Sequence, residues 1–116
     1  MVIKRYEDVK PNAYAGVPEG VEMREMITDR DGAPRFAMRV FDVKPGAGTP
    51  FHTHEWEHEV YILKGTGRVR TENGDTPFAP GDSVYIAPNE KHCFIADPAA
   101  PVQFICVIPA KNQCEL

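Results

Sequence analysis

The chain is 116 residues long with 42% hydrophobic and 26% charged residues, which suits one folded domain and excludes wholesale disorder. Thirteen Lys and Arg against seventeen Asp and Glu give a net charge of −4 with scattered cations, which argues against nucleic acid as the main partner. No apolar run approaches the roughly 18–20 residues that span a bilayer, so no membrane partner is expected.

Met1–Lys10 is charged and mixed, unlike a secretory leader. With Pro11, Gly16, Pro18 and Gly20, the first twenty residues read as an arm feeding a first core strand near Val21–Ile27. Strand-like runs rich in Val, Ile, Tyr and Phe follow at Arg35–Val43, His58–Lys64, Thr66–Thr71, Ser83–Ala87, Lys91–Ala96 and Val102–Pro109. Turn signals separate them at Pro45-Gly46, Lys64-Gly65, Asn73-Gly74, Pro80-Gly81, Pro88-Asn89 and Asp97-Pro98. Asn73-Gly74 predicts a type I′ hairpin, which needs positive φ at both central residues. The closing Ala110–Leu116 reads as a polar tail. No helical period is sustained, so the expectation is one all-β domain, 1–116, built as an antiparallel sandwich or barrel with its core in 35–109. Three cysteines, Cys93, Cys106 and Cys114, make no disulfide framework, which points to a reduced, cytoplasmic protein.

The four histidines are His52, His54, His58 and His92. Residues two apart on a strand share a face, so His52 and His54 present imidazoles side by side. Alternation groups His58 with Val60 and Ile62, which belong inside; the other face, with Tyr61 and Leu63, is less clearly polar. His92 shares a face with Phe94. Imidazoles buried together are unfavourable unless something uses their ring nitrogens, and a divalent transition ion does so.

Gly46, five residues, His52-x-His54 and the later Gly65 resemble the first motif of the cupin family, with His58 where that motif normally carries Glu. Pro80-Gly81-Asp82 and His92 resemble the second motif, with Asn89 where Gly is usual and Ala96 where Asn is usual. The run from His54 to Val60, with Phe36–Phe41, looks like the small four-histidine manganese cupins of thermophilic bacteria. The resemblance implies a conical β-barrel (a double-stranded β-helix of jelly-roll type) and a homodimer. It also implies one metal ion held by His52, His54, His58 and His92 with two positions open. Softness of the donors favours Fe, Ni, Cu or Zn, while the resemblance puts manganese first.

Around that site, alternation turns Phe104 and Cys106 of the last strand inward, making them candidate pocket residues together with Ile62. Cys93 reads as core and Cys114 as exposed. Arg39 either faces the lumen, where it could hold a substrate carboxylate, or forms an outward salt bridge, the reading its polar character favours. Glu55, Glu57 and Glu59 read as a solvated bend. Trp56 is either a rim aromatic or a dimer contact. Three functions fit: a dioxygenase-like, metal-dependent oxidoreductase acting on a small substrate, placed first; a non-redox isomerase or lyase of a sugar or keto acid; and a binding module without turnover.

Overall fold

Apolar–polar alternation organises the chain into antiparallel strands. The computed structural model describes residues 1–12 and 17–110, so Tyr14 and Gly16 of the arm and Cys114 of the tail lie outside the described residues. The strands are β1 (Val21–Ile27), β2 (Phe36–Val43), β3 (His58–Lys64), β4 (Gly67–Thr71), β5 (Gly74–Phe78), β6 (Ser83–Ile86), β7 (His92–Ala96) and β8 (Val102–Pro109). They form a five-stranded sheet ordered β1-β2-β8-β3-β6 and a three-stranded sheet ordered β5-β4-β7. Together the two sheets make a jelly-roll β-barrel.

Each strand of the large sheet turns alternate residues inward. On β3, Val60 and Ile62 are buried while Tyr61 and Leu63 are exposed, which resolves the face that the sequence leaves ambiguous. On β8, Val102, Phe104, Cys106 and Ile108 are buried, and Gln103 faces outward to donate to Asp42 at 2.9 Å. The two sheets meet through aromatic rings. Phe104 stacks on Phe41 of β2 at 4.9 Å and touches Phe94 of β7 at 4.8 Å. Those contacts bury large apolar area where the layers meet.

Two expectations change. Gly74–Phe78, which does not read as a strand because it carries Gly, Asp and Pro, pairs with β4 as an edge strand. At an edge, Pro77 has no inner ladder to break. The hairpin before it is not type I′, because among the described residues the only non-glycine with positive φ is Asn89. Thr71 pairs with Gly74, so Glu72 and Asn73 make the turn and Gly74 alone takes positive φ, at 116°. Asp75 then bridges Arg68 and Arg70, each at 2.9 Å, across the strand pair.

The arm lies on its own β1. Asn12 N–H donates to the Met23 carbonyl at 2.8 Å, Arg24 donates to the Val9 carbonyl at 2.9 Å, and Tyr6 hydroxyl donates to Asp42. Met1, Val2 and Ile3 stay exposed. Among the described residues, no helix is long and apolar enough to cross a membrane.

Gly67 marks a close approach of β4 to β7. A Cβ there would collide with the Ile95 carbonyl oxygen and come within 2.8 Å of Phe78 Cζ. Gly67→Ala is therefore expected to destabilise the fold by about 1–3 kcal/mol, read as a lower urea midpoint. An unchanged midpoint would contradict this packing.

Candidate metal centre

His58 opens β3, opposite Ile86 of β6, and its place in the inward alternation leaves it only 2% exposed. His92 opens β7 and is likewise buried. His52 lies outside the named strands, yet its N–H donates to the His92 carbonyl at 3.2 Å and its carbonyl accepts from His92 N–H at 3.0 Å. The same segment is held further back by Thr49, whose N–H donates to Phe94 O and whose hydroxyl accepts from Phe94 N–H, both at 2.9 Å. His54 is fixed through its carbonyl, which accepts from Asn89 N–H at 2.7 Å. Asn89 has φ of 66°, the left-handed conformation that Asn tolerates, so the turn survives without the usual Gly.

These elements gather the four predicted histidines. Ring centroids lie 4.3 Å apart for His52–His54, 5.2 Å for His54–His58 and 4.7 Å for His58–His92. His52–His92 is 5.7 Å and His54–His92 is 6.1 Å. Metal–nitrogen bonds of about 2.1 Å would set imidazole centroids roughly 4.5–6.5 Å apart around one ion. Among the described residues no group of three or more His, Cys, Asp or Glu side chains is placed, as it stands, to hold a metal ion. The donor chemistry decides the fit. His54 Nε2 and both ring nitrogens of His58 are buried without a hydrogen-bond partner, and histidine χ2 is soft enough for the rings to turn onto a shared ion. His92 Nδ1 lies 2.8 Å from the Glu90 carbonyl oxygen; donation there leaves Nε2 as the free donor, the usual outer support of a ligand histidine.

Burial, reinforced by His92 and Arg39, pushes His58 down to about 3. Burial also lowers His92, although its contact with Glu90 opposes the shift. Both are therefore neutral near pH 7, the form that binds metal.

Beside the rings is a cavity of about 20 Å³, walled by His58, His92, Arg39, Phe104, Cys106 and Phe94, among others. Arg39 is fully buried and donates to Cys106 Sγ at 3.1 Å, which replaces the outward salt bridge that its polar character favours. Its inward direction follows from strand parity, since Ala37, Phe41 and Val43 of the same face are also buried. Burial holds the Cys106 thiol above its ordinary value, and Arg39 opposes that shift. Phe104 and Cys106 sit where expected. Ile62 is buried deeper in the core and is not part of this wall, where Phe41, Phe94 and Thr49 stand instead. Parity along β2 and β7 signals the two phenylalanines; Thr49, in a loop, carries no such signal. Trp56 stacks on His54 at 4.5 Å and packs against the core, so it is a neighbour of the site. Glu55, Glu57 and Glu59 are exposed, as a solvated bend requires, and Cys93 is buried.

The profile of the cupin domain matches residues 39–108, more than half of the sequence. The chain belongs to the cupin family. This cupin superposes on the polyketide cyclase RemF of Streptomyces resistomycificus with a TM-score of 0.86 and 32% identity, over 95% of this chain and 80% of that one. It is 32% identical over 76 residues to 1-methylthio-D-xylulose 5-phosphate methylsulfurylase of Rhodospirillum rubrum, covering 66% of this chain and 49% of that protein. It is also 32% identical over 65 residues to (R)-mandelonitrile lyase of Granulicella tundricola, covering 55% and 50%. The cupin thus spans about half the length of these two curated relatives.

Two outcomes follow. Replacing His52, His54, His58 or His92 singly with Ala should lower Mn²⁺ affinity at least tenfold, the low end for lost supporting groups around a metal; a variant with wild-type affinity is not missing a ligand. The depressed His58 means that the unfolded chain takes up a proton as pH falls through about 6.5 while the folded site does not until about 3. Its contribution to stability is thus complete above pH 6.5 and is lost on acidification. The metal-free protein should lose thermal stability between pH 7 and pH 5, and His58→Leu should flatten that slope. Equal slopes would contradict the assignment.

Proposed function

We propose that this cupin is a metal-dependent enzyme. In this reading it binds one divalent transition ion through His52, His54, His58 and His92 and acts on a small enolisable carbonyl compound. The observation that carries the proposal is the set of buried imidazole nitrogens at His54 and His58 that have no hydrogen-bond partner, a state that is unfavourable unless a ligand uses them. When bound, the ion supplies Lewis acidity at the open positions. Manganese is the first candidate by resemblance; Fe, Ni, Cu and Zn suit the same donors.

Four neutral ligands leave the ion its full 2+ charge, which favours polarising a carbonyl oxygen and disfavours giving electrons to O2. Arg39, Thr49 and Cys106 put polar groups beside the imidazoles, as a non-redox reaction wants. The names of the similar proteins, a cyclase and a lyase, support the same choice. For these reasons the non-redox reading takes precedence over the oxidoreductase that the sequence puts first. Oxidoreduction remains the second reading, favoured by the aromatic wall of Phe41, Phe94 and Phe104. In either reaction, those rings keep bulk water from the floor of the lumen. Assembly as a homodimer belongs to the same proposal, since β6 and β5 leave sheet edges that a second copy could cover.

Anaerobic Mn²⁺-loaded protein in D2O should speed deuterium exchange at the methyl group of pyruvate, next to its ketone, followed by proton NMR, above both free Mn²⁺ and the metal-free protein. Absence of acceleration, with oxygen uptake once air is admitted, would reject the non-redox reading in favour of the second. Absence of both would reject each of them for this class of substrate.

A further inference from the structure

We infer that Trp56 is a positioning residue of the metal centre, acting through His54. Its indole face limits rotation of that imidazole and stabilises the positive charge the ring takes on when Nε2 binds an ion. The inference rests on the metal-centre reading above and adds to it a side chain that steadies a ligand without being one.

Trp56 is the single tryptophan of the chain. It lies in the bend between His54 and His58, where Glu55 and Glu57 on either side of it are exposed. Trp56 turns the other way and packs, partly buried, against the core. Its ring covers His54 almost flat, with centroids 4.5 Å apart and planes inclined by 12°. The histidines meet one another far more steeply, at 61° to 64° in four pairs and 40° in His54–His58. A flat stack occupies the face of the imidazole and leaves its edge free. On that edge, Nε2 of His54 is buried without a hydrogen-bond partner. His92 is steadied by its Nδ1 contact with the Glu90 carbonyl oxygen, and His54 by a stacked ring.

The choice of indole needs its own explanation. Trp56 Nε1 is also buried and has no hydrogen-bond partner. Burying a donor in that state is unfavourable, so the N–H is not what holds the ring in place. A phenyl ring would cover His54 without that cost. What indole adds is the stronger π face, the best among side chains for attracting a cation. A neutral imidazole gains little from it. An imidazole bound to a dication carries part of the ion's charge, and the attraction grows. The stack therefore favours the metal-bound state over the metal-free one.

The test exploits the single tryptophan, since labelling with a fluorinated tryptophan changes this site alone. Mono-, di- and trifluorinated indoles keep nearly the same shape while draining the π face. Two quantities are read: Mn²⁺ affinity, from the EPR signal of the free ion, and the urea midpoint of the metal-free protein. Affinity should fall stepwise along the series, by about three- to tenfold at its end, while the midpoint stays constant. W56L should lose at least as much affinity, and W56F should recover part of it. If W56L fails to fold, the fluorinated series decides alone. Affinity that stays at the wild-type value along that series overturns the role of Trp56, whatever W56L shows. A loss that only tracks a falling urea midpoint overturns it too, because the effect is then one of folding. Both results leave the metal centre intact. Wild-type protein that binds no Mn²⁺ refutes the metal centre, and the inference falls with it.

Discussion

Reciprocal backbone hydrogen bonds between His52 and His92 join two segments that lie far apart in the chain. Everything at the site depends on that junction. His92 is already placed by β7, and its pairing carries the 48–52 segment along the open edge of the small sheet. His54 follows two residues later and is secured by Asn89 at the turn before β7. His58 arrives from the opposite layer, on β3. The histidine cluster is therefore a contact between two sheets, and its geometry is only as rigid as their packing. Phe41, Phe104 and Phe94, stacked just inside, provide that rigidity.

The imidazoles of His58 and His92 are held neutral by burial, and the buried Arg39 side chain shares their small cavity. Neither feature helps a barrel fold, since apolar side chains of similar volume would pack without desolvating polar groups. A shared cation would account for the nitrogens of His54 and His58 that have no hydrogen-bond partner.

Much of this was legible in the residues because strand parity is a strong constraint. It identified His58, Phe104 and Cys106 as inward-facing, and the turn residues located the strand ends closely. Asn89 is instructive: departing from the usual Gly, it still adopts the left-handed turn. Reading failed where local composition was overruled by position. Gly74–Phe78 has poor strand propensity but needs only one partner, β4, at an edge. The hairpin turns at Glu72-Asn73 rather than Asn73-Gly74 because register with β4 shifts the reversal by one residue. The polarity of Arg39 favours an outward salt bridge, but strand parity wins, and it is buried with Ala37 and Phe41 of the same face. Thr49 and the stacking of Trp56 on His54 depend on loop paths that no periodicity encodes.

The central claim is that four imidazole nitrogens share one ion, and pulsed EPR of the Mn²⁺-loaded protein addresses it most directly. Nitrogen couplings from directly bound imidazoles, with labelled histidine as the isotopic control, should account for four ligands, the remaining positions exchanging with labelled water. Two or fewer bound imidazoles in a mainly oxygen environment would contradict the account, because the histidines would then be packed together without serving a common centre.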